Sequence, residues 1–228
     1  MPSTRRIVKV FDSVVDYYDS WYEQPMGRYV LNAEVRALDL LLPHMGLGLD
    51  VGCGTGVFPK ALMKASPGRR IICADPSLGM LRRAIRRGVE SITCTMGRAP
   101  FRRVFDFAYA ITVIEFLENP VEELAALRHV LKDGAAAVFM TINKESSWGR
   151  LYRKLAEEGE PVLSLAKLYS IKDVEDLLAK AGYKIVEMLG TLDTPPDITP
   201  EKPFKLLRGT ELAKCGVVFF KCQAWRAD

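Results

Sequence analysis

The sequence predicts an α/β chain of the doubly wound kind, a mostly parallel sheet with helices on both faces. Two observations carry that expectation. Five apolar runs of strand length, "LGLDV", "RIICAD", "SITCT", "VFDFAYAIT" and "AAAVFMTI", alternate with helical patterns at 57–66, 77–87 and 120–131. The runs are continuous rather than alternating, as strands covered on both faces are, and their alternation with helices marks parallel βαβ units. A length of 228 residues and a hydrophobic content of 49% suit one sizeable domain with a buried core.

Each element is visible in turn along the chain. Residues 5–28 set Phe11, Tyr17, Tyr18, Trp21 and Tyr22 among Asp12, Asp16 and Asp19, which predicts a short helix or two ending in a turn at "QPMG". Leu31, Val35, Leu38 and Leu42 then recur at helical spacing until Pro43 stops the helix. Residues 1–45 thus read as an N-terminal helical segment and 46–142 as the strand-helix core. Within that core, Gly134 after Lys132 and Asp133 reads as a helix stop. Further on, Ser170 and Asp173 form a capping-box pattern ahead of Val174, Leu177, Leu178 and Ala181, and Gly182 closes that helix.

Two last strands, "YKIVEML" and "GVVFFKCQAW", bring the sheet to seven. The stretch 191–214 between them carries Pro195, Pro196, Pro200 and Pro203, so it is no continuous crossover helix, and an antiparallel C-terminal strand is expected. Residues 143–170, with Trp148, Tyr152 and Tyr169, read as a helical insertion. Both insertions are of the kind that caps a substrate pocket.

Composition narrows the function. Lys plus Arg number 32 against 28 Asp plus Glu, too even a balance to recommend nucleic acid or an anionic membrane as partner. "LRRAIRR", residues 81–87, reads as a solvated helix face because no aromatic residues interleave it. Cys53, Cys73, Cys94, Cys215 and Cys222 are dispersed, with no C-x-x-C pair, so no metal site is expected. Neither a signal-peptide core nor an apolar run long enough for a membrane span is visible, and a soluble, cytoplasmic chain is expected. Only three Asn and two Gln stand beside many Lys and Arg, a balance more usual in proteins from hot environments.

The chemistry is concentrated in "LDVGCGTGVF", residues 49–58. The apolar run ends at Asp50, and Gly52, Gly54 and Gly56 fall in the turn from strand to helix, where glycine permits positive φ and lets a ligand approach the backbone. About twenty residues on, a second strand ends at Asp75, placed to accept hydrogen bonds from ribose hydroxyls. A dinucleotide fingerprint reads G-x-G-x-x-G, whereas here the spacing is G-x-G-x-G and position 57 is Val. Asp50 would repel a pyrophosphate and favours a cofactor with a cationic end, S-adenosylmethionine.

At these residues the chain resembles the class I S-adenosylmethionine-dependent methyltransferases, in the small-molecule branch of ubiquinone and menaquinone biosynthesis enzymes (methyltransferase type 11). "LDVGCGTGVF" is similar to their first motif, "ADPSLGML" to the second-strand acid with the Ser and Met beyond it, and "FDFAYAITVIEFLENP" and "LRHVLKDGAAAVFM" to the fourth and fifth strands. "FDSVVDYYDSWYEQPMGRYV" resembles the aromatic N-terminal helix that closes over the cofactor, and "YSIKDVEDLLAKAGYKIVE" the penultimate helix and sixth strand. The resemblance implies a Rossmann-like fold. It implies that Asp50, Gly52, Cys53, Gly54 and Gly56 surround the methionine part, that Asp75 binds ribose, and that Pro76, Ser77 and Met80 border the adenine. Gly97, Arg98 and Ala99 match the family's G-x-A at the adenine edge, with the loop after Ala99 three residues short. Ile111, Thr112 and Val113 would touch the cofactor from the other side, Tyr18 would act as a lid, and Arg28 would pair with the cofactor carboxylate.

Methyl transfer from a sulfonium is an in-line displacement with an activated leaving group. Positioning supplies roughly 7 to 11 kcal/mol and a general base only about 3 to 5 kcal/mol, so an enzyme of this kind can do without a base. His44 falls at the wrong edge of the sheet and His129 on a solvent face. Glu115, past the fourth strand, and Asp19, among the N-terminal aromatics, are the candidates, with capping or hydrogen bonding as the competing role for both. The acceptor is expected to be a small molecule methylated at N, O or C. Two other readings keep the same turn: an NAD(P)-dependent oxidoreductase, and a non-catalytic module that binds the cofactor for regulation.

Overall fold

A computed structural model describes residues 3–196 and 203–224. The expected turn at "QPMG" is instead the start of a third helix. Helices α1 (Thr4–Ser13) and α2 (Val15–Glu23) are followed at once by α3 (Pro25–Leu41), with Pro25 in its first turn, where the missing N–H has no helical partner to lose. The core then runs β1 (Met45–Val51), α4 (Val57–Ala65), β2 (Gly68–Asp75), α5 (Leu78–Arg86), β3 (Glu90–Thr93), β4 (Phe105–Ile111), α6 (Pro120–Leu127) and β5 (Leu131–Ile142). The chain continues through α7 (Ser147–Glu157), α8 (Ile171–Lys180), β6 (Tyr183–Thr191) and β7 (Val217–Ala224). The part of the 191–214 stretch at 197–202, with Pro200, lies outside the described residues.

The seven strands form one sheet in the order β3-β2-β1-β4-β5-β7-β6. β7 runs antiparallel to both neighbours and the other pairings are parallel, which is the Rossmann-like arrangement expected. The order reverses between β1 and β4, and in sheets of this kind ligands settle beyond the carboxyl ends of the strands at that point. The "LDVGCGTGVF" turn leaves β1 there.

Both faces of the sheet are covered, which accounts for the continuous apolar runs. Along β4, Phe107, Tyr109 and Ile111 pack with α3 and α4, while Phe105, Ala108 and Ala110 pack with α6 and α8. α8 carries the full capping box: Ser170 accepts from the Asp173 N–H, and the Asp173 carboxylate accepts from the Ser170 N–H.

Gly134 has a different role from the one its neighbours predict. The helix has already ended at Leu127, and Gly134 lies inside β5 with φ +74°. There Phe105 pairs with Leu131 but Phe107 with Ala136, so the extra residues on β5 bulge out, and glycine supplies the left-handed backbone. Among the described residues no helix is long and apolar enough to cross a membrane.

Candidate functional site

The glycine turn is built as its spacing requires. Gly52, Gly54 and Gly56 all adopt left-handed φ, at +70°, +55° and +78°. Asp75, at the end of β2, pins the turn: Oδ2 accepts from the Gly54 N–H at 2.9 Å and Oδ1 from the Ser77 N–H at 2.8 Å. Ser77 in turn caps α5, accepting from the Met80 N–H. Burial nonetheless pushes the Asp75 carboxyl up to about 6, the two backbone donors only partly offsetting it.

Over this turn lies a cavity of about 330 Å³. Of the predicted site residues, Tyr18, Gly52, Gly54, Asp75, Pro76, Ser77, Met80, Ile111, Thr112, Val113 and Glu115 line it. Thr112 has a left-handed backbone, φ +50°, held by its N–H to the Met140 carbonyl. Leu192, at φ +61°, is the other non-glycine residue in that region among the described residues, and it too lines the cavity. Unusual backbone is concentrated around this one space.

The N-terminal helices form one wall and are fastened by their acids. Asp12 accepts from the Ser77 hydroxyl at 2.6 Å and from the Gly79 N–H at 2.9 Å. Asp16 pairs with Arg83, and Asp19 with Arg87 at 2.9 Å. Half of the arginine run on α5 is therefore a docking surface for α2 rather than a solvated face. The second wall comes from the 143–170 insertion, through Trp148, Tyr152 and Leu155 of α7 and the turn after it. In contrast, 191–214 meets the cavity through Leu192 alone among the described residues.

Several predicted residues stand elsewhere. Arg28 is exposed and donates to the Glu23 carbonyl, because α3 turns its Val30 and Glu34 side inward. Gly97, Arg98 and Ala99 lie in a short turn against α6, and Cys94, Thr95 and Met96 face the cavity in their place. Cys53 turns away into a cluster with Cys73, Leu81, Ala84 and Val89. Gly56 is likewise off the wall, with a hypothetical Cβ only 2.9 Å from the Ala84 Cβ, so its role is to seat the turn on α5. Asp50 is buried beneath the turn, where one carboxyl oxygen has no partner and burial raises its pKa well above the usual range.

The two candidate bases separate. Asp19 is tied to Arg87 and does not line the cavity. Glu115 does line it, fully buried, with burial pushing it up to about 7, but its Oε1 accepts the Ile142 N–H at 2.9 Å and thereby ties down the end of β5. A third acid escaped the sequence reading: Glu34 on α3 lines the cavity at 5% exposure, and burial raises it to about 8. It stands within the inward stripe Val30, Ala33, Ala37, Leu38, Leu41, and an acid in such a stripe is the signal that would have found it.

No Lys, Arg or His lines the cavity among the described residues. A pyrophosphate would enter with nothing to neutralise it and three buried acids against it. A ligand with an ammonium and a sulfonium, plus a ribose facing Asp75, fits this donor set. Among the described residues no group of three or more His, Cys, Asp or Glu could hold a metal ion.

Comparison with known proteins identifies the family of the chain. The "Methyltransferase domain" family model matches residues 26–188. An uncharacterised protein of Methanocaldococcus jannaschii is 30% identical over 186 residues, covering 81% of this chain and 86% of its own. A crystal structure from Thermotoga maritima, described as a SAM-dependent methyltransferase and possible histamine N-methyltransferase, superposes with a TM-score of 0.82. It is 28% identical and covers 96% of this chain and 99% of that one. The geranyl diphosphate C-methyltransferase of Streptomyces coelicolor, solved with S-adenosyl-L-homocysteine, Mg²⁺ and geranyl diphosphate, shares the fold. Its TM-score is 0.63 at 16% identity, over 85% of this chain and 79% of that one.

Proposed function

The chain belongs to the methyltransferase domain family, of the class I S-adenosylmethionine-dependent type, and from that premise we propose that it methylates a small-molecule acceptor by in-line displacement. S-adenosylmethionine supplies an electrophilic methyl group on a sulfonium that leaves as a neutral thioether. The chain's own residues do the rest. Asp75 receives the ribose, the Gly52–Gly54 backbone lets the cofactor lie against it, and Cys94, Thr95, Met96 and Met80 border the adenine.

The observation that carries the reading is a single cavity joining the glycine turn to an aromatic space walled by α1, α2 and α7. Both reactants therefore share one enclosure of about 330 Å³, within which orientation is the main catalytic resource. Glu115 acts by holding the end of β5 rather than as a proton acceptor.

Isothermal titration of the cofactor-free chain tests this. S-adenosylmethionine and S-adenosylhomocysteine each bind at 1:1, and Asp75→Asn weakens both, since an amide cannot accept from the Gly54 and Ser77 N–H groups together. Labelled methyl transfer is then measured over a panel of amines, phenols, quinols and carboxylates. No binding of either nucleoside overturns the reading; binding without transfer to any acceptor favours the regulatory module.

A further inference from the structure

We propose that the acceptor carries an amine, seated on the Glu34 carboxyl among Tyr18, Tyr22, Trp148 and Tyr152; the proposal rests on the methyltransferase reading above. Glu34 projects from α3 into the cavity at 5% exposure, and no hydrogen bond or ion pair to its carboxyl exists among the described residues. The other acids of the cavity wall named above have protein donors, Asp75 those of Gly54 and Ser77 and Glu115 that of Ile142, although the second oxygen of Glu115 has none. A carboxyl that opens onto an apolar cavity with no protein donor takes its donor from whatever occupies that cavity.

The surroundings select that donor's charge. The Tyr18 and Tyr22 hydroxyls share a hydrogen bond at 3.3 Å, and their rings cross edge-on with centroids 5.5 Å apart. Trp148 and Tyr152 form a second edge-on pair at 6.1 Å. Glu34 shares the cavity wall with Tyr18, Tyr22, Trp148 and Tyr152, and burial above all, with the Glu34 carboxylate as a lesser cause, raises the phenol pKa values of Tyr18, Tyr22 and Tyr152. Aromatic faces attract a cation and offer an anion nothing. A carboxylate or phosphate acceptor would find no lining cation among the described residues.

These groups also fix the proton balance. With burial holding Glu34 near 8, the ligand-free protein carries it protonated at neutral pH, and the titratable groups that share its cavity wall include Tyr18 and Tyr22 from α2, Tyr152 from α7 and Glu160 beyond it. An ammonium docking there releases one proton to solvent, leaving one proton shared between nitrogen and carboxyl. With that proton on Glu34, the nitrogen lone pair is free to form the new N–C bond as the C–S electrons stay on sulfur. The product departs as a methylated ammonium and Glu34 remains protonated.

Calorimetry on the full chain saturated with S-adenosylhomocysteine tests this, using 2-phenylethylamine, 2-phenylethanol and phenylacetate as probes of one shape and three charges. The amine binds at least about tenfold more tightly than either isostere, as one charge-assisted hydrogen bond implies. Comparing buffers of different ionisation enthalpy at pH 7 shows close to one proton released. Glu34→Gln loses both the preference and the proton release while keeping its S-adenosylhomocysteine affinity; Glu34→Leu is the second variant if the amide does not fold. Equal binding of the alcohol or the acid, no binding of any probe, or an unchanged preference in both variants overturns the proposal. So does a loss of nucleoside affinity instead, which would assign Glu34 to the cofactor. Failure of the wild type to bind S-adenosylhomocysteine would strike the methyltransferase reading itself.

Discussion

The buried acid on α3 makes the protein's stability depend on pH in a direction opposite to that of ordinary surface carboxylates. The carboxyl of Glu34 is raised from 4.5 to about 8 by burial, so the folded state holds its proton more tightly than the unfolded chain does. Stability linked to this group is fully present below about pH 4.5 and is lost as pH rises through about 8. Integrating the linkage between pH 5 and pH 8 gives a loss of about 3 kcal/mol. Asp75 and Glu115, raised to about 6 and about 7, add losses of the same sign. Glu34→Gln isolates the one contribution, because the other two acids are common to both proteins. Urea unfolding at the two pH values should show the variant gaining about 3 kcal/mol on the wild type at pH 8 relative to pH 5. A difference below about 1 kcal/mol would mean that water reaches Glu34 in the resting protein, and the reasoning from burial would fail.

Two further perturbations test the frame around the site. Gly56→Ala forces a left-handed φ of +78° on a residue with a Cβ and brings that Cβ within 2.9 Å of Ala84, so a loss of about 2 to 4 kcal/mol is expected. Calorimetric melting should fall by about 2 to 4 °C for each kcal/mol, and an unchanged Tm would refute the tight seating of the turn on α5. Arg69→Met removes a fully buried guanidinium that donates to the Asp39 carboxylate at 2.6 Å and to the carbonyls of Asp39, Leu42 and Pro43. Leaving Asp39 without it should cost about 3 to 5 kcal/mol in urea unfolding, with S-adenosylhomocysteine affinity unchanged in the folded fraction; an undiminished stability would show the pair to be replaceable.

The sequence alone was enough for the fold and for the glycine turn with Asp75 beside it. Continuous apolar runs of strand length between helical patterns suit strands buried on both faces, and three glycines at alternate positions between a strand and a helix leave little choice of backbone. Asp75 was legible because the second strand of such a sheet must end beside the first. These features are local, or depend on a topology that local features dictate.

Other features depended on tertiary contacts. Whether Asp19 faces a substrate or Arg87 turns on how α2 lies across α5, and nothing near Asp19 in the chain names Arg87. Gly97 to Ala99 lie against α6 while Cys94, Thr95 and Met96 line the cavity, a choice set by how the turn packs on α6. Glu34 lies far along the chain from Tyr152, and each by itself reads as an ordinary helix residue. Only the packing of α2, α3 and α7 around one enclosure turns an acid and four aromatic rings into a place for a cation, because burial, and not residue type, sets the affinity of that carboxyl for its proton.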